Sequence, residues 1–409
     1  MVSKFGWIDF SEDERRQMLD VVHLFSERDT RDELGIGTIR DAFSDHFFPG
    51  TSTIQTRPKY MLLIPWMYLE LERKKVPSSK IDSQARKFET DLILTLLENG
   101  DGEGVIGREA KKHLIRLPSN IYWSGLGVWG IRLFPGHREQ YHRSLDTYYS
   151  QGRSIADDEA DEEFCGLRRK PNWHSAIPDP PKDLLESASL DLTQKEAAYL
   201  KERILMRFPD SLFSQMLCES HAYKADFPWQ HSIKESIPAG LSETLSHAQN
   251  FSEIIHGAAL VYNLMLSQTA EKDEWAEGFE HRLIDWTAGV GARYAELKTW
   301  YRDIQEFWLC PALNQAKIPS LTRSFVTGWL QAVFESPGVE YLMGNHKVES
   351  LIANRESQLK GPRARLSNRN ALNRWKGESG TRRLTYRWNI VSTYVADILK
   401  GLKAKHGHA

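Results

Sequence analysis

The sequence predicts a mainly α, multi-domain helical protein, with short helices and at most a few short strands in the N-terminal half and long helices in the second half. Three observations carry this reading. Apolar residues recur at three- and four-residue spacing along most of the chain, caps and Gly or Pro stops bound those runs, and alternating strand-type runs are scarce. A length of 409 residues exceeds what one hydrophobic core usually organises. The expected division is a helical domain over 1–150, an acidic and Pro-rich linker over 151–192, a long-helix domain over 193–345 and a basic segment over 346–409.

Taken in order, Ser11 before Glu12, Asp13 and Glu14 reads as a cap with first-turn acids, followed by Met18, Val21, Val22 and Phe25 on one face. Thr38 to Phe48 repeats the pattern with Ile39, Ala42, Phe43 and Phe47 and stops at Pro49-Gly50. A non-helical loop from Gly50 to Pro58 leads into a helix over Lys59 to Lys75 that contains Pro65. Ser78 or Ser79 caps the next helix, with Ala85, Phe88, Leu92, Leu96 and Leu97 as its stripe and Asn99-Gly100 as its stop. Residues 107–134 read as two short helices around Leu117-Pro118-Ser119, a candidate helix-turn-helix. The acids between Asp157 and Glu163, then Pro171, Pro178, Pro180 and Pro181, mark a boundary or surface loop. Thr193 with Glu196 is a capping box that opens the long-helix region. Within it Trp275, Phe279, Leu283 and Trp286 share one face, as do Tyr294, Leu297, Tyr301, Ile304 and Trp308.

A net charge of −2 gives no global argument for nucleic acid or membrane. The three cysteines, Cys165, Cys218 and Cys310, are widely spaced without a CxxC pair, which points to a reducing cytoplasm and not to a disulfide framework. No signal peptide is read at the N-terminus, and the apolar run Met61 to Leu69 is under half the ~20 residues of a membrane span. The expectation is a cytoplasmic protein with no membrane contact.

Charge is concentrated at the C-terminal end. From Arg355 to Ala409 thirteen Lys and Arg face three acids, Glu356, Glu378 and Asp397, a local net of +10. Arg363, Arg365, Arg369, Arg374, Lys376, Arg382, Arg383 and Arg387 alternate with Trp375, Tyr386 and Trp388. Guanidinium clusters neutralise phosphates and exposed aromatics stack on unpaired bases, so these cations and Trp388 are the candidate nucleic-acid or phosphate contacts. The competing reading docks the same tail on an acidic face of its own chain. A second candidate is an anion loop of Thr51, Ser52, Thr53 and Arg57, where hydroxyls and amides precede a helix; it lacks the P-loop order, and the same hydroxyls read equally as caps. The Gly377 to Arg383 turn has a similar composition.

Catalytic motifs are sparse. Asp91 with Glu109 and Lys111 loosely imitates a nuclease set, on predicted helices where adjacent strands would be needed. There is no HExxH and no GxSxG, and Cys218 with His221 is a lone pair, so no metal site and no cofactor are expected.

Three stretches together resemble a known family: Gly6-Trp7-Ile8-Asp9-Phe10, Glu33 to Phe43 running into Phe48 to Arg57, and Arg383-Leu384-Thr385-Tyr386-Arg387-Trp388, with Pro118 to Trp123 also fitting. The family is the uncharacterised bacterial domain of unknown function six-three-six-one. It has no established activity, so the resemblance implies no catalytic residue. It implies a setting among accessory proteins of bacterial anti-phage or mobile-element gene clusters.

The function expected from these readings is a non-enzymatic accessory protein that contacts DNA or RNA phosphates through its basic C-terminal segment. Two alternatives stand beside it: a structural or adaptor subunit that binds a protein encoded nearby through its aromatic helical faces, and a nuclease-like enzyme whose site is assembled from distant residues. The oligomeric state is not legible.

Overall fold

A computed structural model describes residues 32–100, 102–157, 170–219, 225–336 and 339–404. The fold is mainly α. Among the described residues the one β feature is an isolated antiparallel bridge between Arg132 and Trp173. The longer helices are α1 (Gly37–Phe47), α2 (Tyr60–Arg73), α3 (Ser78–Glu98), α4 (Pro118–Val128), α5 (Arg138–Asp157), α6 (Gln194–Arg207), α7 (Leu212–Cys218), α8 (Ala239–Thr269), α9 (Asp273–Ala292), α10 (Tyr294–Arg302), α11 (Ser320–Glu335), α12 (His346–Lys360) and α13 (Trp388–Lys403). The helix expected after Ser11 lies outside the described residues. The chain divides into two compact units, each made of two stretches: Met1–Phe43 with Thr244–Leu384, and Ser44–Glu243 with Thr385–Ala409.

In the second of these units α2 is central. All nine residues from Tyr60 to Tyr68 are buried, as expected of a helix apolar on every side, and Pro65 sits inside it. The indole of Trp66 donates to the Pro178 carbonyl at 2.7 Å, so this part of the Pro-rich stretch packs against α2. The capping box at α6 is present: Thr193 accepts from the Glu196 amide, and Glu196 reaches back to the Thr193 amide at 2.8 Å. The same Glu196 carboxylate takes the Lys59 ammonium at 2.6 Å, with both side chains buried. Helix α13 packs on α6 and α7 through Val391, Tyr394, Val395, Ile398 and Leu399. At α3 the N-cap is Pro77 and not a serine; the Ser78 hydroxyl instead donates to the Arg143 carbonyl.

Residues 107–134 are not a helix-turn-helix. Where a first helix was expected there is only a 3-10 turn, Lys111–His113, because Gly107 at φ 86° and Lys111 at φ 44° break the run. Helix α4 then buries Tyr122 and Trp123, so it is a packing helix. Asp91 lies on α3, Lys111 is exposed at the start of that turn, and Glu109 is exposed just before it. On the same α3, Glu89 is buried and accepts the Ser119 amide at 2.6 Å and hydroxyl at 3.0 Å. Burial pushes its carboxyl up to about 7. Its folded value is raised, so it contributes most below the ordinary value of 4.5 and that contribution is lost as the pH rises towards 7. Glu89→Gln should therefore flatten the fall in stability between those two pH values, measured as urea midpoints across the range. An unaltered slope would remove Glu89 as its source.

In the first unit α8 is central. Two indoles, Trp286 from α9 and Trp329 from α11, donate to its Glu253 and Ile254 carbonyls at 2.8 and 2.9 Å. Gly257 makes this approach possible, since a Cβ there would stand 2.3 Å from the Trp286 ring. Phe279, Leu283 and Trp286 are buried on α9 as expected, whereas Trp275 at the helix start is 37% exposed. The next expected face is out of phase. A break at Asp303 separates α10 from a short helix, Ile304–Leu309, and the buried side chains are Leu297, Trp300, Phe307 and Trp308, with Tyr294, Tyr301 and Ile304 half-buried.

Candidate functional site

The basic segment within the first unit ends at Leu384, and α8 holds it by a ladder of polar contacts. Asn263 donates its amide to the Ser379 carbonyl at 2.7 Å and accepts the Ser379 N–H at 2.8 Å. His256 contacts the Thr381 carbonyl at 2.9 Å, and Ser252 donates to the Leu384 carbonyl at 2.9 Å. Positions 252, 256 and 263 fall on one helical face. Their span, about 16 Å at 1.5 Å per residue, matches the reach of five extended residues from 379 to 384. The segment therefore runs antiparallel to α8, in register with it.

Beneath the segment lies a buried charge cluster built from α12, Tyr262 and the residues before α1. Glu356 is fully buried and accepts the Tyr262 hydroxyl at 2.5 Å, the Arg365 and Leu366 amides at 2.9 and 3.0 Å, and Lys360 at 3.2 Å. Burial acts to raise its carboxyl, but the Tyr262 hydroxyl, the two amides and Lys360 hold it below the ordinary range. Burial and the neighbouring Glu356 and Glu33 push the Tyr262 phenol well above its usual range. Glu33, also buried, is bound by Lys360 through one oxygen, and its other oxygen lies 2.9 Å from Arg365. Two carboxylates thus meet two cations. Arg355 fixes the preceding backbone by donating to the Leu34 carbonyl at 2.9 Å and the Gly35 carbonyl at 3.1 Å.

This arrangement sorts the candidate contacts. Arg363, Arg369, Arg374, Lys376 and Arg382 are exposed, and none has an ion-pair partner among the described residues. Arg365 turns inward to Glu33 and to the Ser379 hydroxyl at 3.1 Å. Arg383 is half-buried, 4.0 Å from Glu253, and lines a cavity of about 320 Å³ with His256, Arg282 and Asp285. Between 361 and 384 seven cations face one acid, Glu378.

The remaining candidates lie in the other unit and do not form a site of the expected kind. Arg387 is tied to Asp45 at 2.5 Å and to the Thr51 carbonyl at 2.7 Å. Trp388 is a correction: it is 2% exposed and donates its indole to the Ala225 carbonyl, so it is no stacking platform. Tyr386 in this unit is likewise buried, and so is Trp375 in the first unit, edge-on to Trp275. The anion loop is also corrected, because most of its amides and its Arg57 are already taken by groups of the protein. The buried Thr51 hydroxyl donates to the Phe48 carbonyl at 2.7 Å, the Ser52 amide donates to Gln55, and the Thr56 and Arg57 amides donate to the Tyr122 hydroxyl at 2.9 and 3.1 Å. Arg57 is held by Asp397 at 2.5 Å, and Thr53 stands exposed at the tip.

Glu33, Asn263, Tyr262, Glu356 and Lys360 were not among the sequence candidates. The one legible signal was the spacing of Glu356 and Lys360, four apart on a helix. Among the described residues no group of three or more His, Cys, Asp or Glu could hold a metal ion, and no helix is long and apolar enough to cross a membrane.

Fold and site together define a class: a helical protein that sets a basic surface segment over a buried, charge-balanced cluster. The chain belongs to the family of unknown function DUF6361, whose model matches residues 2–401. No curated protein and no solved structure matches it.

Proposed function

We propose that this is a non-enzymatic protein that contacts the phosphate backbone of DNA or RNA through the exposed cations of the 363–382 stretch. One observation carries the reading: Arg363, Arg369, Arg374, Lys376 and Arg382 lie exposed within twenty residues, on a segment that α8 and the buried cluster hold in place. A fixed array of unpaired guanidinium and ammonium groups meets a polyanion with little ordering cost and releases its counterions. The aromatic faces of α9 and α10 support the same choice, since Phe279, Leu283, Trp286, Leu297 and Trp300 are buried within their own unit. A place among the accessory proteins of bacterial anti-phage or mobile-element systems follows from the family resemblance and accords with nucleic-acid contact.

The test compares two triple variants of equal charge change in the full-length protein, by fluorescence anisotropy with labelled oligonucleotides at low salt. Arg369→Gln/Arg374→Gln/Lys376→Gln should weaken binding by about tenfold or more, while Arg108→Gln/Lys111→Gln/Lys112→Gln, exposed in the other unit, should change it little. Equal losses from the two would reduce the effect to net charge and sink the assignment.

A further inference from the structure

Tryptophan is buried almost throughout this protein. Among the described residues every one but Trp275 is at most 9% exposed, whereas Trp275, in the first turn of α9, is 37% exposed. The basic segment holds it in place. A Cβ at Gly377 would stand 3.2–3.3 Å from Cδ2, Cε2 and Cζ2 of the indole, three consecutive ring atoms, so Gly377 lies over one face of the ring. Trp375 stands perpendicular to the same ring, 5.3 Å away between centroids.

Helix α9 then follows the segment onward. Arg282, two turns beyond Trp275, donates to the Thr381 carbonyl at 3.3 Å and to Glu378 at 3.4 Å, and Trp286 shares a cavity with Arg383. The stretch from 375 to 383 thus runs along α9 in the direction of that helix, with Trp275 at its 375–377 end. The exposed cations Arg374 and Lys376 flank Trp375, so both leave the chain beside the residues that hold the indole.

A single exposed aromatic is ordinary on a protein surface. What distinguishes Trp275 is that its ring is fixed on the segment that carries the cations, and a fixed indole beside cations is a stacking platform for a base whose phosphates those cations meet. The neighbouring acids Asp273 and Glu274 are exposed in the same turn, so what α9 itself offers a strand here is the ring and not charge. Bases in a duplex are already stacked on one another; only an unpaired base has a free face. We propose that Trp275 stacks on one unpaired base of a single strand whose phosphates lie at Arg374 and Lys376. The inference rests on the phosphate-contact reading and narrows its ligand from nucleic acid in general to unpaired strands.

Fluorescence anisotropy at low salt, in the full-length protein, compares a thymine 12-mer with an abasic 12-mer of the same phosphate count. Wild type should bind the thymine strand about fivefold or more tighter, the low end of one base–aromatic contact. The ratio of the two affinities is the readout, because a displaced segment would weaken both strands alike. Trp275→Leu, which keeps an apolar side chain against Trp375 and Gly377, should bring that ratio close to one, and Trp275→Phe should retain most of it. A second measurement needs no substitution: a strand carrying 5-iodouracil, irradiated in complex with the wild-type protein, should cross-link at Trp275, located by peptide mass spectrometry. A ratio that Trp275→Leu leaves intact, or cross-links only at other residues, overturns the stacking role. Equal wild-type affinity for the thymine and abasic strands also overturns it and leaves the surface assignment standing. Binding of neither strand overturns both.

Discussion

Replacing Glu356 with alanine is expected to lower the stability of the protein by about 3–5 kcal/mol, the usual cost of removing one partner from a buried charge cluster. Its carboxylate receives the Tyr262 hydroxyl, Lys360 and two successive amides, so one truncation leaves three donors without their acceptor and the buried cluster with two cations against the single carboxylate of Glu33. Glu356→Gln should recover only part of the loss. Its NH2 would face a backbone N–H, of Arg365 or of Leu366, that now donates to a carboxylate oxygen. The pH dependence gives an independent check. The folded carboxyl lies below its ordinary value of 4.5, so its contribution is present above that value and is lost as the pH falls through the folded one. The difference between wild type and Glu356→Ala in urea midpoint should therefore be large at neutral pH and shrink in acid. A neutral-pH difference under about 1 kcal/mol would mean that the cluster does not organise the segment above it.

The second large effect is expected at the other buried pair. Lys59→Ala strands the Glu196 carboxylate, buried at 4% exposure, and should also cost about 3–5 kcal/mol. The double variant Lys59→Met/Glu196→Gln should be the more stable of the two. It removes both charges, keeps a long unbranched side chain at the position whose ammonium stands 5.3 Å from the Trp66 ring centroid, and keeps a residue that completes the capping box with Thr193. Denaturant midpoints of the single and double variants decide the matter. A double variant as unstable as Lys59→Ala would place the cost in what both lose, the Lys59 ammonium with its bonds to Glu196 and the Asp191 carbonyl, and not in a stranded carboxylate.

Much of the fold was legible because helices announce themselves locally. The Thr193–Glu196 box, the Phe279, Leu283 and Trp286 face and the Pro65 helix all follow from spacing within a few residues. The site was legible only as charge. Sequence placed the cations of the basic segment together but could not say which of them face water, because that depends on Glu33, 327 positions away from Lys360 along the chain. The hydroxyl loop failed for the same reason: Thr51 to Arg57 has the composition of an anion site, and the hydroxyl that takes its amides belongs to Tyr122, on α4. Trp388 and Tyr386 alternate with arginines in sequence, yet the backbone turns at Tyr386 and Arg387, at φ 51° and 69°, and both rings are buried.

The measurement that bears most directly on the central claim is the salt dependence of single-strand binding. Each neutralised phosphate contributes a slope of about −0.7 to log K against log salt, so full engagement of the exposed cations predicts a slope of roughly −3.5, flattened by about two for Arg369→Gln/Arg374→Gln/Lys376→Gln. A slope that the triple substitution leaves unchanged, or no binding even at low salt, would contradict the assignment of this surface to nucleic acid.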